Sequence, residues 1–267
     1  MDSAAFGMLT PPPLAPKPRS TAMMLMSEVG IPLRQTEDLL EIAAPIIDYA
    51  KITDHLGLIE RLSAAWIRRK VALYNAHDVK VVPGGIPFQV AVVQRKVPDY
   101  FKAVRDLGFA GVEMSEDVIE PIAAGQREEW IALARGMGLG VMTEMGRKNV
   151  DVKFDAESIA QQVAHDIKLG VSKIYIESAE IQHLVKDDPG ALDRLFKVDG
   201  GKALLFELGL NSPQEKAVWL VERYGPQINF ASVSPYDVVA VDAIRRGMHR
   251  KGGFPYIFGK SAGGKKG

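Results

Sequence analysis

Short, almost wholly apolar runs alternate with longer stretches in which apolar positions recur every third or fourth residue, and this happens eight times between residues 21 and 250. A continuous apolar run suits a strand covered on both faces, and helical spacing after it makes each pair a β/α unit. The runs predict strands over residues 21–28, 46–53, 79–85, 110–115, 139–146, 173–178, 203–209 and 228–234. Helix starts are expected at Thr36 with Glu37, at Ser115 ahead of the acidic stretch before Trp130, at Asp155, and at Ser212-Pro213. Gly108, Gly138, Gly170 and Gly225 stand where helices should stop, since a helix end commonly needs a left-handed residue. Eight such units in order predict an α/β fold, a (β/α)8 TIM barrel in a single domain, with an open doubly wound sheet as the structural competitor.

Composition narrows the picture. The 267 residues are long enough for one barrel, and Lys+Arg and Asp+Glu balance at 33 each, so nothing points to a nucleic-acid partner. Zero cysteines exclude disulfides, thiolate zinc sites, iron–sulfur ligation and a cysteine nucleophile. Residues 1–10 lack the basic region and continuous apolar core of a secretory signal, and no apolar run is long enough to span a bilayer, so no membrane role and a cytoplasmic location are expected. Pro11, Pro12, Pro13, Pro16 and Pro18 mark residues 1–20 as an extended arm, and residues 251–267 read as a glycine- and lysine-rich tail. An arm of this kind can also pack on a second copy, which leaves a homo-oligomer open.

Barrel active sites gather at the strand C-termini, so the polar residues that interrupt the strands there carry the chemistry. Four are glutamates: Glu113, Glu144, Glu177 and Glu207. Carboxylates inside apolar strands need a pairing charge or a metal. Candidates for the balancing charge are Lys51 at the end of the second strand, Arg147-Lys148 after the fifth, and a divalent cation. Oxygen ligands without cysteine or clustered histidine favour Mg²⁺ over Zn²⁺. The bland alternative is that one or two of these glutamates form structural ion pairs. Pro83-Gly84-Gly85 brings bare backbone to the mouth, as close approach to a ligand requires, although a simple tight turn explains it equally well. Asn229 and Ser232, with Arg245-Arg246 on the last helix, are candidates for holding a phosphate, with a solvated helix face as the alternative for the arginines. Of the histidines, His55 beside Asp54 is the one placed to act as an acid or base, and no pair has metal-ligand spacing. Dinucleotide fingerprints, a P-loop and a G-x-S-x-G elbow are absent.

In this order, Pro83-Gly84-Gly85, Val112-Glu113-Met114-Ser115, Thr143-Glu144-Met145-Gly146-Arg147-Lys148, Ile174-Tyr175-Ile176-Glu177, Phe206-Glu207 and Arg245-Arg246-Gly247 resemble the motifs of the phosphosulfolactate synthase family. Asp48-Tyr49-Ala50-Lys51 is similar to the family's second strand. The resemblance runs from about Thr21 to Arg250. It implies a Mg²⁺-dependent barrel enzyme that adds sulfite to phosphoenolpyruvate, a small anionic substrate, giving (2R)-phospho-3-sulfolactate on the route to coenzyme M. By motif position it also implies Lys148 as the general acid, with Lys51 holding an anionic group beside Glu113. Taken with the reading of the residues themselves, the candidate metal ligands are Glu144, Glu177 and Glu207, and the candidate substrate-facing residues are Gly84, Gly85, Ser115, Arg147, Asn229, Ser232, Asp54 and His55.

The chain departs from the family pattern at several points. The first strand ends Ser27-Glu28-Val29-Gly30, without the family's lysine, and after the sixth strand Ala179 stands where the family has arginine. Ile52-Thr53-Asp54-His55 replaces an aromatic, glycine-rich turn, and Ser232 replaces an asparagine. Two lost cations bear on anion recognition, so a second reading is a related barrel lyase acting on another small enol acid or with another nucleophile, using Asp54 or His55. A third is a non-catalytic relative resembling plant heat-stress proteins. Retention of Lys51, Glu113, Glu144, Lys148 and Glu177 together favours catalysis over the third reading. A Schiff-base aldolase is disfavoured because both lysines stand near carboxylates and would stay protonated.

Overall fold

The computed structural model describes residues 5–52, 60–146, 155–178, 181, 189–197 and 201–259. All eight strands lie inside the predicted runs: β1 (Met24–Ser27), β2 (Tyr49–Ile52), β3 (Lys80–Pro83), β4 (Gly111–Met114), β5 (Gly140–Met145), β6 (Lys173–Ile176), β7 (Leu204–Glu207) and β8 (Phe230–Val233). They pair in parallel in the order β3-β2-β1-β8-β7-β6-β5-β4. The two ends of that order meet, since the Ala110 amide donates to the Val81 carbonyl at 2.8 Å. The sheet thus comes round on itself as a (β/α)8 barrel rather than lying open, because each strand finds its partner in the next one along the chain.

Nine helices lie among the described residues: α1 (Leu33–Ala43), α2 (Ala64–Asn75), α3 (Gly85–Val93), α4 (Val97–Asp106), α5 (Ala124–Gly136), α6 (Ala156–Lys168), α7 (Pro189–Phe196), α8 (Pro213–Tyr224) and α9 (Val238–Arg245). Two of them follow β3. The start signals behave unevenly. Asp155 caps α6, its carboxylate accepting from the Glu157 amide at 3.1 Å. Ser212 is the residue before α8 but adopts φ +50° and caps nothing with its side chain. Thr36 lies inside α1, where its hydroxyl donates to the Pro32 carbonyl at 3.1 Å. Ser115 starts no helix. Gly108, Gly138, Gly170 and Gly225 all adopt the expected positive φ.

The core has two parts. A large apolar layer fills the space between the strands and the helices. Inside the barrel, Leu25, Val82, Met142, Tyr175, Leu205 and Ala231 form a second layer with Tyr49 packed against it. Side chains alternate along a strand, so the residue two places further on returns to the barrel interior one layer higher. From Tyr49, Met142, Tyr175 and Leu205 that step leads to Lys51, Glu144, Glu177 and Glu207.

The N-terminal ends of the strands form a floor. Arg19 donates to Asp48 at 3.0 Å and to the Pro45 carbonyl at 2.8 Å, and Arg246 holds the Pro12 carbonyl at 2.8 Å. The Tyr256 hydroxyl donates to the Thr10 carbonyl at 2.7 Å, so the proline-rich segment lies on this chain's own barrel. Among the described residues no helix is long and apolar enough to cross a membrane.

Candidate active site at the barrel mouth

Above the apolar inner layer, the strand C-termini line a cavity of about 230 Å³ bounded by Lys51, Gly85, Glu113, Ser115, Asp117, Glu144, Glu177, Ser178, Glu207, Gly209 and Ser232, among others. The lysine holds one side of it. Lys51 Nζ lies 3.2 Å from the Glu113 carboxylate and 3.3 Å from that of Glu207, all three side chains buried, and the Tyr175 ring sits below it at 5.3 Å. Glu207 also accepts a hydrogen bond from the Ser232 hydroxyl at 2.5 Å. Two carboxylates on one ammonium fix its position.

A second group faces it. Carboxylate oxygens of Asp117, Glu144 and Glu177 all lie within 4.8 Å of one another. Burial, and after it the Glu207, Glu113 and Asp117 charges, raise the Glu144 carboxyl well above the ordinary range, with Lys51 opposing them. Three convergent oxygen donors with this much mutual repulsion suit a hard divalent cation, so Mg²⁺ fits the residues present.

Two devices hold the group in place. Gln89, buried on α3, donates from its amide nitrogen to Ser115 Oγ at 2.8 Å and to the Asp117 carboxylate, and its oxygen accepts from the Val118 amide at 3.0 Å. This bends the chain after β4 so that Asp117 turns into the cavity. Ser178 donates to Glu177 at 3.1 Å. Gly85 is required by space: a Cβ there would stand 2.0 Å from Ser115 Oγ and 2.8 Å from a Glu113 oxygen. Bare backbone at this point therefore lets α3 start against the site, and the tight-turn explanation falls.

Lys51, Gly85, Glu113, Ser115, Glu144, Glu177, Glu207 and Ser232 thus converge on one mouth. Gly84 precedes α3 and donates to the Ile52 carbonyl at 3.0 Å, a backbone role behind the cavity. Asp54, His55, Arg147 and Lys148 lie outside the described residues.

Three expectations are corrected. Asn229 sits at the other end of the barrel, accepting from the Met23 amide and donating to the Lys202 and Leu204 carbonyls, because it precedes β8 rather than ending it. Arg245 is neither a phosphate ligand nor solvated: it is buried in the floor, donating to the Ala22, Met23 and Ile228 carbonyls over the Phe230 ring. Arg246 is committed to Pro12 and Asp242. The Glu207 carboxylate is held by Lys51 and Ser232 beside Glu144, and Asp117, which the sequence did not single out, joins Glu144 and Glu177.

Sequence reasoning passed over Asp117 and Gln89. Asp117 follows Ser115 by two residues, but Glu116-Asp117 reads as the acidic start of a helix. Gln89 lies in an apolar helix with no local sign of its task. A buried pair behind the first strand was missed as well. Lys70 of α2 donates to Glu28 at 2.8 Å and to the Ile31 carbonyl, with both side chains almost fully buried.

A closed barrel with its ionisable side chains gathered at the strand C-termini has the arrangement of a β/α-barrel enzyme. Residues 12–251 match the model of the (2R)-phospho-3-sulfolactate synthase (ComA) family, and the chain belongs to that family. It is 28% identical over 250 residues to the phosphosulfolactate synthase of Methanothermobacter thermautotrophicus, covering 91% of this chain and 95% of that one. To the phosphosulfolactate synthase of Methanocaldococcus jannaschii it is 25% identical, covering 85% and 91%. Among solved structures it is similar to DHDPS from Cyanidioschyzon merolae, with a TM-score of 0.57 over 90% of this chain and 79% of that one. At 11% identity that likeness concerns the fold alone.

Proposed function

We propose that this protein catalyses the Mg²⁺-dependent addition of sulfite to phosphoenolpyruvate, giving (2R)-phospho-3-sulfolactate on the route to coenzyme M, as a carbon–sulfur lyase acting in the cytoplasm. The observation that carries the proposal is the facing of two charged groups across one small mouth, Lys51 with its carboxylates and the Asp117, Glu144 and Glu177 triad, in a chain of this family.

In the reaction the sulfite sulfur bonds to the methylene carbon of phosphoenolpyruvate. The electron pair of the carbon–carbon double bond moves toward the carboxylate, and a proton is then delivered to the carbon bearing the phosphate. Asp117, Glu144 and Glu177 would hold Mg²⁺, which supplies a Lewis acid offsetting the charge that gathers on the substrate carboxylate. Lys51, fixed by Glu113 and Glu207, presents its ammonium to an anionic group of the substrate. The inner apolar layer under Tyr175 closes the cavity below and excludes water from the reacting carbons. Lys148, three residues beyond the end of β5 in sequence, is the proton donor by its place in the motif.

The protein mixed with Mg²⁺, phosphoenolpyruvate and sulfite should give a new phosphorus NMR signal for phosphosulfolactate, and chelation should stop it. Glu144→Gln should raise the Mg²⁺ concentration needed for half-maximal rate by on the order of tenfold, and Lys148→Ala should abolish turnover without loss of fold. Unchanged rates in both variants would discard these roles. Product with another nucleophile but none with sulfite would select the related-lyase reading instead.

A further inference from the structure

An anionic substrate entering the mouth meets Glu113, Asp117, Glu144, Glu177 and Glu207, while Lys51 is the only cation among the described lining residues and already holds two of them. A phosphoryl group carries up to two negative charges and needs a cation of its own. The paired arginines of α9 are in the floor, at the wrong end of the barrel.

Lys216, in the first turn of α8, is 8% exposed, and its Nζ has no hydrogen-bond partner among the described residues. A buried ammonium without an acceptor is costly and is retained where something pairs with it. Its Nζ lies 3.8 Å from the point where a Cβ on Gly209 would stand, and Ser178 Oγ lies 2.8 Å from the same point. Gly209 and Ser178 both line the mouth, so the ammonium lies directly behind the cavity wall at this point, with the Ser178 side chain and bare Gly209 backbone between them. Burial lowers the Lys216 ammonium from its usual range, and the Glu207 and Glu177 charges oppose that without bonding to it. Ser212 caps none of the first-turn amides of α8, and the loops after the seventh and eighth strands are where β/α barrels frequently seat a phosphate.

We propose that Lys216, reached past Gly209 and Ser178, is the seat of the substrate's phosphoryl group. The inference rests on the reading of the substrate as a phosphorylated enol acid and assigns its recognition in this chain to α8.

The test compares wild type, Lys216→Met, Lys216→Arg and, as an exposed control, Lys168→Met. Affinities for phosphoenolpyruvate and for inorganic phosphate are measured by calorimetry with Mg²⁺ present, alongside the KM for each substrate. Lys216→Met should weaken binding of both phosphate compounds by on the order of tenfold or more, raise the KM for phosphoenolpyruvate in proportion and leave that for sulfite within about twofold. Lys216→Arg, which keeps the charge, should retain affinity within about threefold, and it carries the test should the methionine variant not fold. Unchanged phosphate affinity in Lys216→Met, or an equal loss in Lys216→Arg, overturns the seat while leaving the synthase reading intact. A wild type that binds neither phosphate compound overturns the seat, and failure to form phosphosulfolactate in the product experiment separately overturns the reaction.

Discussion

Lys51 and Lys70 are both buried lysines paired with glutamate, but Lys51 itself lines the mouth, whereas of the second pair it is Glu28 that does. Lys70 lies between Glu28 and the rings of Trp66 and Tyr74, 5.0 and 5.9 Å away. Burial raises the Glu28 carboxyl and lowers the Lys70 ammonium, each opposed by its partner. Removing one partner of such a pair leaves a buried charge, so Lys70→Met should cost about 3 kcal/mol or more, and Lys70→Met with Glu28→Gln should recover most of it. The pH dependence has a definite sign. A carboxyl raised in the folded state contributes stability below its unfolded pKa of about 4.3 and loses it as pH climbs. Without Lys70 the carboxyl is raised further, so the variant should come nearest to wild type around pH 4.5 and fall behind toward pH 7. Urea unfolding at the two pH values checks this, and an equal deficit at both would show that Glu28 does not titrate in the variant.

The eighth strand shows how an element re-aims a side chain. Met24 pairs with Phe230 but Met26 pairs with Val233, so β8 carries one extra residue against β1. Ser232 sits in that bulge at φ +50° and turns its hydroxyl to Glu207 and Ser27 in the mouth. A left-handed conformation costs most side chains about 1 kcal/mol, and asparagine bears it better. Ser232→Asn should therefore raise stability by up to about 1 kcal/mol in thermal unfolding, and a lower melting temperature would mean that the hydroxyl bond outweighs the backbone strain. The start of α3 works by the opposite means, an absent side chain. Gly85→Ala drives a methyl group into Ser115 and Glu113, so turnover should fall at least tenfold, as a displacement of about 1 Å at a site can cause. Full activity in that variant would mean that the mouth tolerates the shift.

The whole molecule separates a floor that holds the barrel together from a mouth that holds the chemistry. Arg245→Met removes donors to three buried carbonyls that tie α9 to β1 and β8. It should lower stability by roughly 2–4 kcal/mol while leaving the KM of both substrates within twofold, and a changed KM would break the separation. The eight strands, the glycine stops, the barrel and most of the glutamates were legible in the chain, because parallel strands read as continuous apolar runs and a polar residue at their ends stands out against them. Asn229 and Arg245 misled because sequence order does not say which end of a strand a flanking residue faces until the register is known. Local pattern determined that Lys51, Glu113, Glu144, Glu177 and Glu207 belong together. Only the tertiary structure decided who pairs with whom: Glu207 with Lys51, Asp117 with Glu144 and Glu177, and Gln89 behind them. Those partners come from different strands and helices, and barrel closure sets the distances between them.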